Sequence, residues 1–285
     1  MIFFHTFGGR LGNQMFQAAF ASTLAGRYEK VLFTKMEDCL RILPRAFKGG
    51  NVLRNKFLYK LFDRILYPYL LRPLIFKLRL VTLVQEVNDK KMVNITPGIF
   101  KEIKWVEGYF QGQTFFDPQK VSEWEVNPTI VEQAKRWLSQ RVPRGRVPVA
   151  VHWRMGDYEN FIVYDKLDAS LPETYFVKAI EKVLRQEPKA YFVIFSDEPH
   201  KAAQRLKLAN NVYTISDQSP EIDLITMSLC EALILSNSTL SWWSGWFAHK
   251  SAKLIIAPKW WMGWKSKRTF PVAIEPDFAE LIDVE

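Results

Sequence analysis

The chain has 285 residues, 48% of them hydrophobic and 14% aromatic, and it carries a formal charge of +9 at pH 7. This composition indicates a globular protein with a large core, and the length favours about two domains. The positive charge predicts an anionic partner. It does not distinguish among nucleic acid, an anionic membrane surface and a phosphorylated small molecule.

The N-terminal half predicts an α/β domain with one region of uncertain order. Its predicted elements are a strand at 1–7, a turn at 8–14, a helix at 14–28, a strand at 30–34, a mostly helical and irregular region at 36–104, a strand at 105–111 and a helix at 129–140. The pattern changes after Pro143, Gly145 and Pro148, which places the predicted domain boundary between residues 145 and 146.

Residues 52–84 stand out because seven lysines and arginines there accompany a single acidic residue, Asp63. Such a basic, aromatic, amphipathic stretch could make a peripheral contact with an anionic bilayer. Alternatively, its helices pack on the domain and keep their basic groups in solvent. Both interpretations fit the sequence.

From residue 146 onward, strands and helices alternate regularly. The predicted strands are 147–153, 190–195, 211–215, 232–235 and 253–257, and the predicted helices are 172–186, 199–208, 221–231 and 239–249. Ser170 with Glu173 predicts a capping box, and Ser219-Pro220 predicts another helix start. This alternation is typical of a mainly parallel sheet, whose ligands bind at the carboxyl ends of the strands.

The first loop of interest follows strand 147–153. The strand alternation directs His152 and Arg154 to the same face, and Gly156 permits a sharp turn before Asp157. Arg154 could bind a diphosphate in bidentate fashion. The alternative is an Arg154–Asp157 pair that only fixes the loop.

Two further loops carry polar groups at the ends of predicted strands. Asp197 could accept two hydrogen bonds from a guanine base, or it could simply cap the following helix. A run of hydroxyl and amide side chains at the start of helix 239–249 predicts a phosphate site, with Trp242, Trp243 and Trp246 forming core or the wall of a sugar site. The run comprises Ser236, Asn237, Ser238, Thr239 and, one turn later, Ser241.

The sequence offers little support for metal or nucleophilic chemistry. Its four histidines are scattered, and it contains no Asp-X-Asp, Gly-X-Ser-X-Gly or Gly-X-Gly-X-X-Gly motif. We therefore expect no metal site and no nicotinamide cofactor. Nucleic-acid binding is also disfavoured, because the positive charge is concentrated in residues 41–80 and no binding motif is present.

Several blocks of the sequence resemble the family 11 α-1,2-fucosyltransferases. GRLGNQMFQAAFASTLA is similar to the family's G-G-L-G-N-Q-M-F-Q-Y-A opening, and HWRMGDY is similar to its His-X-Arg-Arg-Gly-Asp-Tyr motif. FVIFSDE, DLITMSLCEALILSNSTLSWWSGWFA and IIAPKWW resemble later blocks. The resemblance runs from residue 8 to 261 and is weakest over 40–104. The family's second arginine is replaced here by Met155.

The resemblance implies a bacterial, inverting, metal-independent transferase that moves L-fucose from GDP-fucose to the 2-hydroxyl of a galactose-terminated or lipid-linked glycan, as in O-antigen biosynthesis. It also implies a GT-B fold of two Rossmann-like domains facing across a cleft. The acceptor-side domain would be 1–145, and the GDP-fucose-binding domain would be 146–285. Another GDP-sugar-dependent transferase is the alternative.

Site residues also follow from the resemblance. Arg154 would hold the β-phosphate, and Asp197 would bind the base. The phosphate-binding hydroxyl groups would be those of Ser238, Thr239 and Ser241. A similar opening in protein O-fucosyltransferases places Arg10, Gly12 and Asn13 near the sugar nucleotide. Arg154, Asp157 and His152 form the expected catalytic set, with Asp157 as the candidate base and Glu159, Asp165 and Asp168 as alternatives.

Cysteine usage and the N-terminus bear on the compartment. Cys39 and Cys230 lie in apolar neighbourhoods, which predicts two buried thiols and a reducing environment. Residues 1–7 lack the features of a secretory signal, and no segment approaches the roughly 18 uninterrupted apolar residues of a membrane span. We expect a cytoplasmic protein, and contact of residues 52–84 with the inner face of the membrane stays one of the two interpretations given above.

Overall fold

The computed structural model describes residues 1–6, 9–26, 29–46, 49–51, 56–87, 90–209 and 211–285. The chain divides into two compact units, which are residues 1–127 and 128–285. Arg54 of the basic stretch and Phe7 and Gly8 of the opening loop lie outside the described residues. Each unit contains a six-stranded sheet with helices, as predicted for an α/β protein.

The sheet of unit 1 is built from β1 (Ile2–His5), β2 (Val31–Phe33), β3 (Gly49–Asn51), β4 (Val81–Glu86), β5 (Val93–Thr96) and β6 (Phe100–Glu107). Its spatial order is β3-β2-β1-β6-β4-β5, and all neighbours are parallel except β4 and β5. The chain moves outward from β1 to β3 and returns on the other side, so strand order reverses between β1 and β6.

The helices of unit 1 are α1 (Leu11–Leu24), α2 (Glu37–Ile42), α3 (Lys56–Leu61), a π-helix (Phe62–Leu71), α4 (Arg72–Leu78), a short 3-10 helix (Gln113–Phe115) and α5 (Pro118–Ser122). The region 36–104 therefore contains the predicted helices but also three strands that the sequence did not predict. One of them, β4, is buried at Thr82, Leu83 and Val84 in succession. A strand covered on both faces lacks the alternation by which strands are recognised.

The sheet of unit 2 is parallel throughout. It comprises β7 (Val147–Trp153), β8 (Ala190–Ser196), β9 (Tyr213–Ile215), β10 (Ala232–Ile234), β11 (Leu254–Pro258) and β12 (Glu280–Ile282), in the order β12-β11-β10-β7-β8-β9. All five predicted strands are present, and β12 is additional. Strand order reverses between β7 and β10, which is where ligands bind in open parallel sheets.

The α-helices of unit 2 are α6 (Pro128–Arg141), α7 (Glu173–Gln186), α8 (Pro199–Leu206), α9 (Pro220–Ser228) and α10 (Thr239–Ala248), and short 3-10 helices span Gly156–Asn160 and Trp264–Ser266. Ser219 precedes α9 with Pro220 in the first turn, as predicted. The capping-box prediction for α7 is wrong, because Pro172 occupies the N-cap and the Ser170 hydroxyl donates to Asp168 instead.

The helix α6 lies on the C-terminal side of the division between the two units, whereas the predicted boundary follows it. Its Trp137 Nε1 donates to Asp217 Oδ1 at 2.9 Å, which ties α6 to the loop after β9. Contacts of this kind depend on the fold and cannot be read from the Pro and Gly residues at 143–148.

Cys39 and Cys230 are free, buried thiols, as predicted, and burial raises the pKa of both. Within the described ranges, no helix combines the length and the apolar character needed to cross a bilayer.

Candidate active site

The reversal point of the unit 2 sheet brings two of the predicted loops together. His152 lies near the end of β7, and Ser236 lies two residues beyond the end of β10. His152 Nδ1 and Ser236 Oγ are 2.7 Å apart, and both residues are buried. Burial lowers the pKa of His152 to about 3, and the charge of Arg154 adds to this effect. His152 is therefore a neutral group that links the two loops.

Arg154, the first residue after β7, is held by carboxylates on both sides. Its Nε and Nη2 donate to Asp157 Oδ1 at 2.9 and 2.5 Å, and its Nη1 lies 3.3 Å from Asp197 Oδ2. The side chain is only 14% exposed. Both sequence interpretations of this loop are therefore compatible with its geometry, since these contacts fix the guanidinium while leaving N–H donors for a further ligand.

Gly156 lies close to the Asp197 side chain. A Cβ atom built on Gly156 would lie 2.4 Å from Asp197 Oδ2, well inside van der Waals contact. Any side chain at position 156 would therefore force the carboxylate or the 154–157 turn to shift. The sequence signal for this turn was the glycine itself.

The Asp197 carboxylate accepts a backbone hydrogen bond within unit 2. Its Oδ1 accepts a hydrogen bond from the Met155 N–H at 3.0 Å, in addition to the Arg154 contact. The Met155 side chain is 1% exposed and belongs to the hydrophobic core, so position 155 does not present its side chain to the loop surface. Guanine recognition by Asp197 would require the carboxylate to share or exchange these partners.

The polar run after β10 forms a buried turn into α10. The Ser241 hydroxyl donates to the carbonyl oxygens of Ser236 and Ser238, each at 2.9 Å. Asn237 Nδ2 donates to the Ala169 carbonyl at 2.6 Å, while its buried Oδ1 has no hydrogen-bond partner within the described part of the chain. Ser238 is the N-cap of α10 and makes no capping bond with its own side chain.

These contacts divide the run into two roles. Ser241 and Asn237 hold the turn together, whereas Ser238 and the partly exposed Thr239 stand at the positive end of the helix dipole. Trp242 and Trp243 are fully buried and Trp246 is 6% exposed, which favours the core interpretation of the three tryptophans.

A half-buried acidic group near this sheet edge was not predicted. Asp223 in the first turn of α9 accepts a hydrogen bond from Ser216, which follows β9. Burial raises the pKa of Asp223 to about 7, and the neighbouring Asp217 adds to the shift. The only sequence signal was the acidic first turn of the helix, which resembles ordinary capping.

The predicted loop of unit 1 opens α1 at the reversal point of the first sheet. Arg10 is the exposed N-cap residue, Gly12 is buried, and Asn13 lies in the first turn. Asn13 Oδ1 accepts a hydrogen bond from Gln111 Nε2 at 2.7 Å. Asn13 is thereby oriented by the segment that follows β6.

Among the described residues, no group of three or more histidine, cysteine, aspartate or glutamate side chains is arranged to hold a metal ion. Arg154 and the amide groups at the start of α10 are positive groups at this edge of the unit 2 sheet. These groups can stabilise negative charge that develops on a bound ligand.

Comparisons with known proteins show which bacterial enzymes the chain is similar to. The chain is 30% identical to the O-antigen biosynthesis glycosyltransferase WbnK of Escherichia coli over 39% of its length, a match that spans only 37% of that relative. It is 24% identical to an alpha-1,2-colitosyltransferase of Escherichia coli, covering 88% of this chain and 89% of that protein.

Solved structures support the fold class. POFUT1 in complex with GDP superposes with a TM-score of 0.53 at 12% identity, covering 90% of this chain and 97% of that one. A family 9 glycosyl transferase from Veillonella parvula gives 0.55 at 10% identity, covering 99% and 85%. These neighbours are GT-B glycosyltransferases, and the predicted α/β GT-B class is confirmed.

The family model of Glycosyl transferase family 11 matches residues 116–267, just over half of the chain. This range contains the Arg154 loop, Asp197 and the turn into α10. The chain belongs to glycosyl transferase family 11.

Proposed function

We propose that this glycosyltransferase moves L-fucose from GDP-fucose to the 2-hydroxyl of a galactose-terminated glycan, with inversion and without a metal ion. The observation that carries the proposal is that Arg154 and the turn into α10 follow neighbouring strands, β7 and β10, where the strand order of one parallel sheet reverses. A guanidinium and a helix N-terminus are complementary to a diphosphate. The fold shared with POFUT1, which was solved with GDP and with GDP-fucose, is consistent with such a donor.

In the proposed reaction, the acceptor hydroxyl attacks the anomeric carbon of fucose as the bond to the GDP oxygen breaks. The hydroxyl proton passes to a base, and the electron pair of the broken bond leaves with GDP. Negative charge therefore grows on the β-phosphate during the step. Arg154 and the amides near Ser238 and Thr239 stabilise this charge most strongly in the transition state, which is the requirement for catalysis.

The general base remains a prediction within this proposal. The contacts of Asp157 favour an orienting role, because its Oδ1 receives two hydrogen bonds from Arg154. Asp168 is engaged by Ser170 and by Lys265. Glu159 forms an ion pair with Lys201 at 2.7 Å. An oxocarbenium-like transition state needs little assistance from a base.

A colitose donor is tested beside GDP-fucose, because one relative is named an alpha-1,2-colitosyltransferase. Purified enzyme would be incubated with either GDP-fucose or a colitose donor and with a panel of galactose-terminated acceptors. Mass spectrometry and linkage analysis of the product would identify the sugar, the linkage and the anomeric configuration. A colitosyl product with no fucosyl product would replace the donor assignment and leave the site assignment intact.

Nucleotide binding and metal independence need separate measurements. Calorimetry with EDTA-treated protein is expected to detect GDP binding, and transfer is expected to continue in EDTA. Absence of GDP binding would contradict the donor site itself. Binding that persists while transfer requires added divalent cations would contradict only the metal-independent mechanism.

The acceptor is proposed to be a galactose-terminated oligosaccharide or a lipid-linked glycan. The relative named for O-antigen biosynthesis supports a bacterial surface glycan as the acceptor class. Arg10, Gly12 and Asn13 are proposed to contribute to the sugar-nucleotide site, and Arg10→Ala and Asn13→Ala variants test this through the KM for the donor.

A further inference from the structure

The helical segment Leu61–Leu78 of unit 1 presents an apolar face to solvent. Seven large apolar side chains on it are between 40% and 79% exposed: Leu61, Ile65, Leu66, Tyr69, Leu70, Leu74 and Leu78. Single exposed apolar residues are normal on protein surfaces. A contiguous group of this size marks an interaction site.

The spacing of these residues makes the face continuous. Leu61, Ile65 and Tyr69 follow one another at intervals of four, and Leu66, Leu70, Leu74 and Leu78 form a parallel row. Residues four apart are neighbours along one side of a helix. The inner side is anchored by Tyr67, which is 3% exposed and whose ring lies 3.8 Å from the His5 ring and 5.5 Å from the Trp105 ring.

The charges on the segment are sorted in the same way. Lys60 and Arg64 are exposed beside the apolar rows, and Lys77 is exposed near the end of the segment. Asp63 is the only acidic residue between 56 and 79. Its Oδ1 lies 3.2 Å from Nε2 of the buried His5, so the carboxylate is directed toward the sheet.

We propose that this face docks on an anionic phospholipid bilayer, with the helical segment lying in the plane of the interface. Apolar rows flanked by exposed lysine and arginine, with the single carboxylate turned inward, match the apolar boundary and the anionic headgroups of such a surface. A second copy of this chain fits less well, because a two-fold contact through the face would bring like charges together. Nucleic acid would leave the apolar rows unburied.

The proposal goes beyond the proposed function and does not depend on it, because binding to lipid can be measured without donor or acceptor. The full chain would be floated with vesicles of phosphatidylcholine alone and with vesicles of phosphatidylcholine mixed with phosphatidylglycerol. We expect flotation with the mixed vesicles that weakens as salt is added, since salt screens the attraction to the headgroups. A folded protein that does not float with the mixed vesicles would overturn the proposal.

Two sets of variants make the test specific. Leu66→Ser with Leu70→Ser and Leu74→Ser should lower the vesicle partition coefficient by about tenfold or more. Lys60→Glu with Arg64→Glu should lower it by about fivefold or more for each charge removed. The matched control for the leucine variant is Ile95→Ser with Ile99→Ser, because the two isoleucine side chains are 58% and 69% exposed. The matched control for the charge variant is Lys90→Glu with Lys91→Glu. The controls are expected to float like the parent chain.

Circular dichroism and thermal unfolding establish that each variant is folded. If the control variants lose vesicle binding as strongly as the face variants, the assignment to this face is wrong. If sedimentation instead shows a dimer that the leucine variants convert to monomer, a second copy of this chain is the occupant and the bilayer proposal is overturned.

Discussion

Two loops of this chain follow a central strand of a mainly or wholly parallel sheet, and each carries an arginine and a glycine. In unit 2, Arg154 is 14% exposed and held by Asp157 and Asp197. In unit 1, Arg10 is an exposed N-cap residue, and its backbone carbonyl oxygen accepts hydrogen bonds from the N–H groups of Asn13 and Gln14. The two arginines therefore differ in burial.

The difference arises from what the neighbouring strands supply. The strand β8 delivers Asp197 to the Arg154 loop, and β10 delivers Ser236 to His152. A guanidinium fixed before the ligand arrives pays no reorganisation cost when charge develops. We therefore expect the chemistry to depend far more on the unit 2 loop than on the unit 1 loop.

The largest expected effect is that of Arg154→Ala. Loss of one preorganised donor should reduce kcat by about 10²–10³, or about 2.7–4 kcal/mol in the barrier. Arg10→Ala is the matched comparison, and its effect should be under tenfold, as is common for an exposed charge worth about 1 kcal/mol or less. Turnover of both folded variants with GDP-fucose measures the contrast. Equal losses, or near-normal activity of the Arg154 variant, would refute it.

Gly156→Ala should disrupt the same loop without removing a charge. The new Cβ would lie 2.4 Å from Asp197 Oδ2, so the turn or the carboxylate must shift. We expect a loss of about 1–3 kcal/mol in the free energy of unfolding, together with weaker GDP binding. Gly26→Ala is the control, because a Cβ there has no atom within 4 Å. Denaturant titration and calorimetry give the two quantities.

Asp197 and Asp157 both contact Arg154 but differ in burial. Asp197 is 20% exposed and also binds the Met155 N–H, whereas Asp157 is 53% exposed. Asp197→Asn should therefore cost about 1.5–3 kcal/mol of stability and Asp157→Asn less than about 1 kcal/mol. Unfolding of both variants measures this difference.

The same pair tests base recognition. If Asp197 reads guanine through its N1–H and amino group, Asp197→Asn should alter the preference for GDP over inosine diphosphate, which lacks that amino group. If Asp197 only holds the loop, both nucleotides should weaken equally. Asp157→Asn should leave the preference unchanged in either case.

Much of unit 2 could be predicted from the sequence because most of its strands and helices have a clear local sequence pattern. Buried parallel strands appear as apolar runs, and the polar residues at their ends mark the site edge. The contacts that determine the role of each site residue, in contrast, depend on the tertiary structure. That Ser241 donates to Ser236 and Ser238, or that Met155 faces the core, depends on how helix and strand meet.

Unit 1 was predicted less well for the same physical reason. Its strands β3, β4 and β5 are short or covered, and they lie among basic helical stretches with no clear period. The inward direction of Asp63 could not be inferred either, because its partner His5 is 58 residues away in the chain. Such long-range pairs decide which face of a helix is left outside.

The two units should share one response to pH. Burial raises the pKa of Glu107 in unit 1 and of Asp223 in unit 2 to about 7. Each folded carboxyl keeps its proton between about pH 4 and 7 while the unfolded one loses it, so stability falls as pH rises through this window. Between pH 4 and 7, Glu107→Gln and Asp223→Asn should each reduce the decrease in the free energy of unfolding by about 1–2 kcal/mol. Urea titrations across this pH range measure the slope, and an unchanged slope in both variants contradicts the assignment.

The smallest expected effect separates structure from binding within the turn into α10. The Ser241 hydroxyl proton is used by the carbonyl oxygens of Ser236 and Ser238, so Ser241→Ala should cost about 1 kcal/mol of stability. Ser238 makes no capping bond with its side chain, and Ser238→Ala should instead weaken GDP binding. Unfolding and calorimetry of the two variants give the comparison. Should Ser241→Ala weaken GDP binding more than Ser238→Ala at unchanged stability, the hydroxyl of Ser241 would be the phosphate ligand and the turn would have to open to release it.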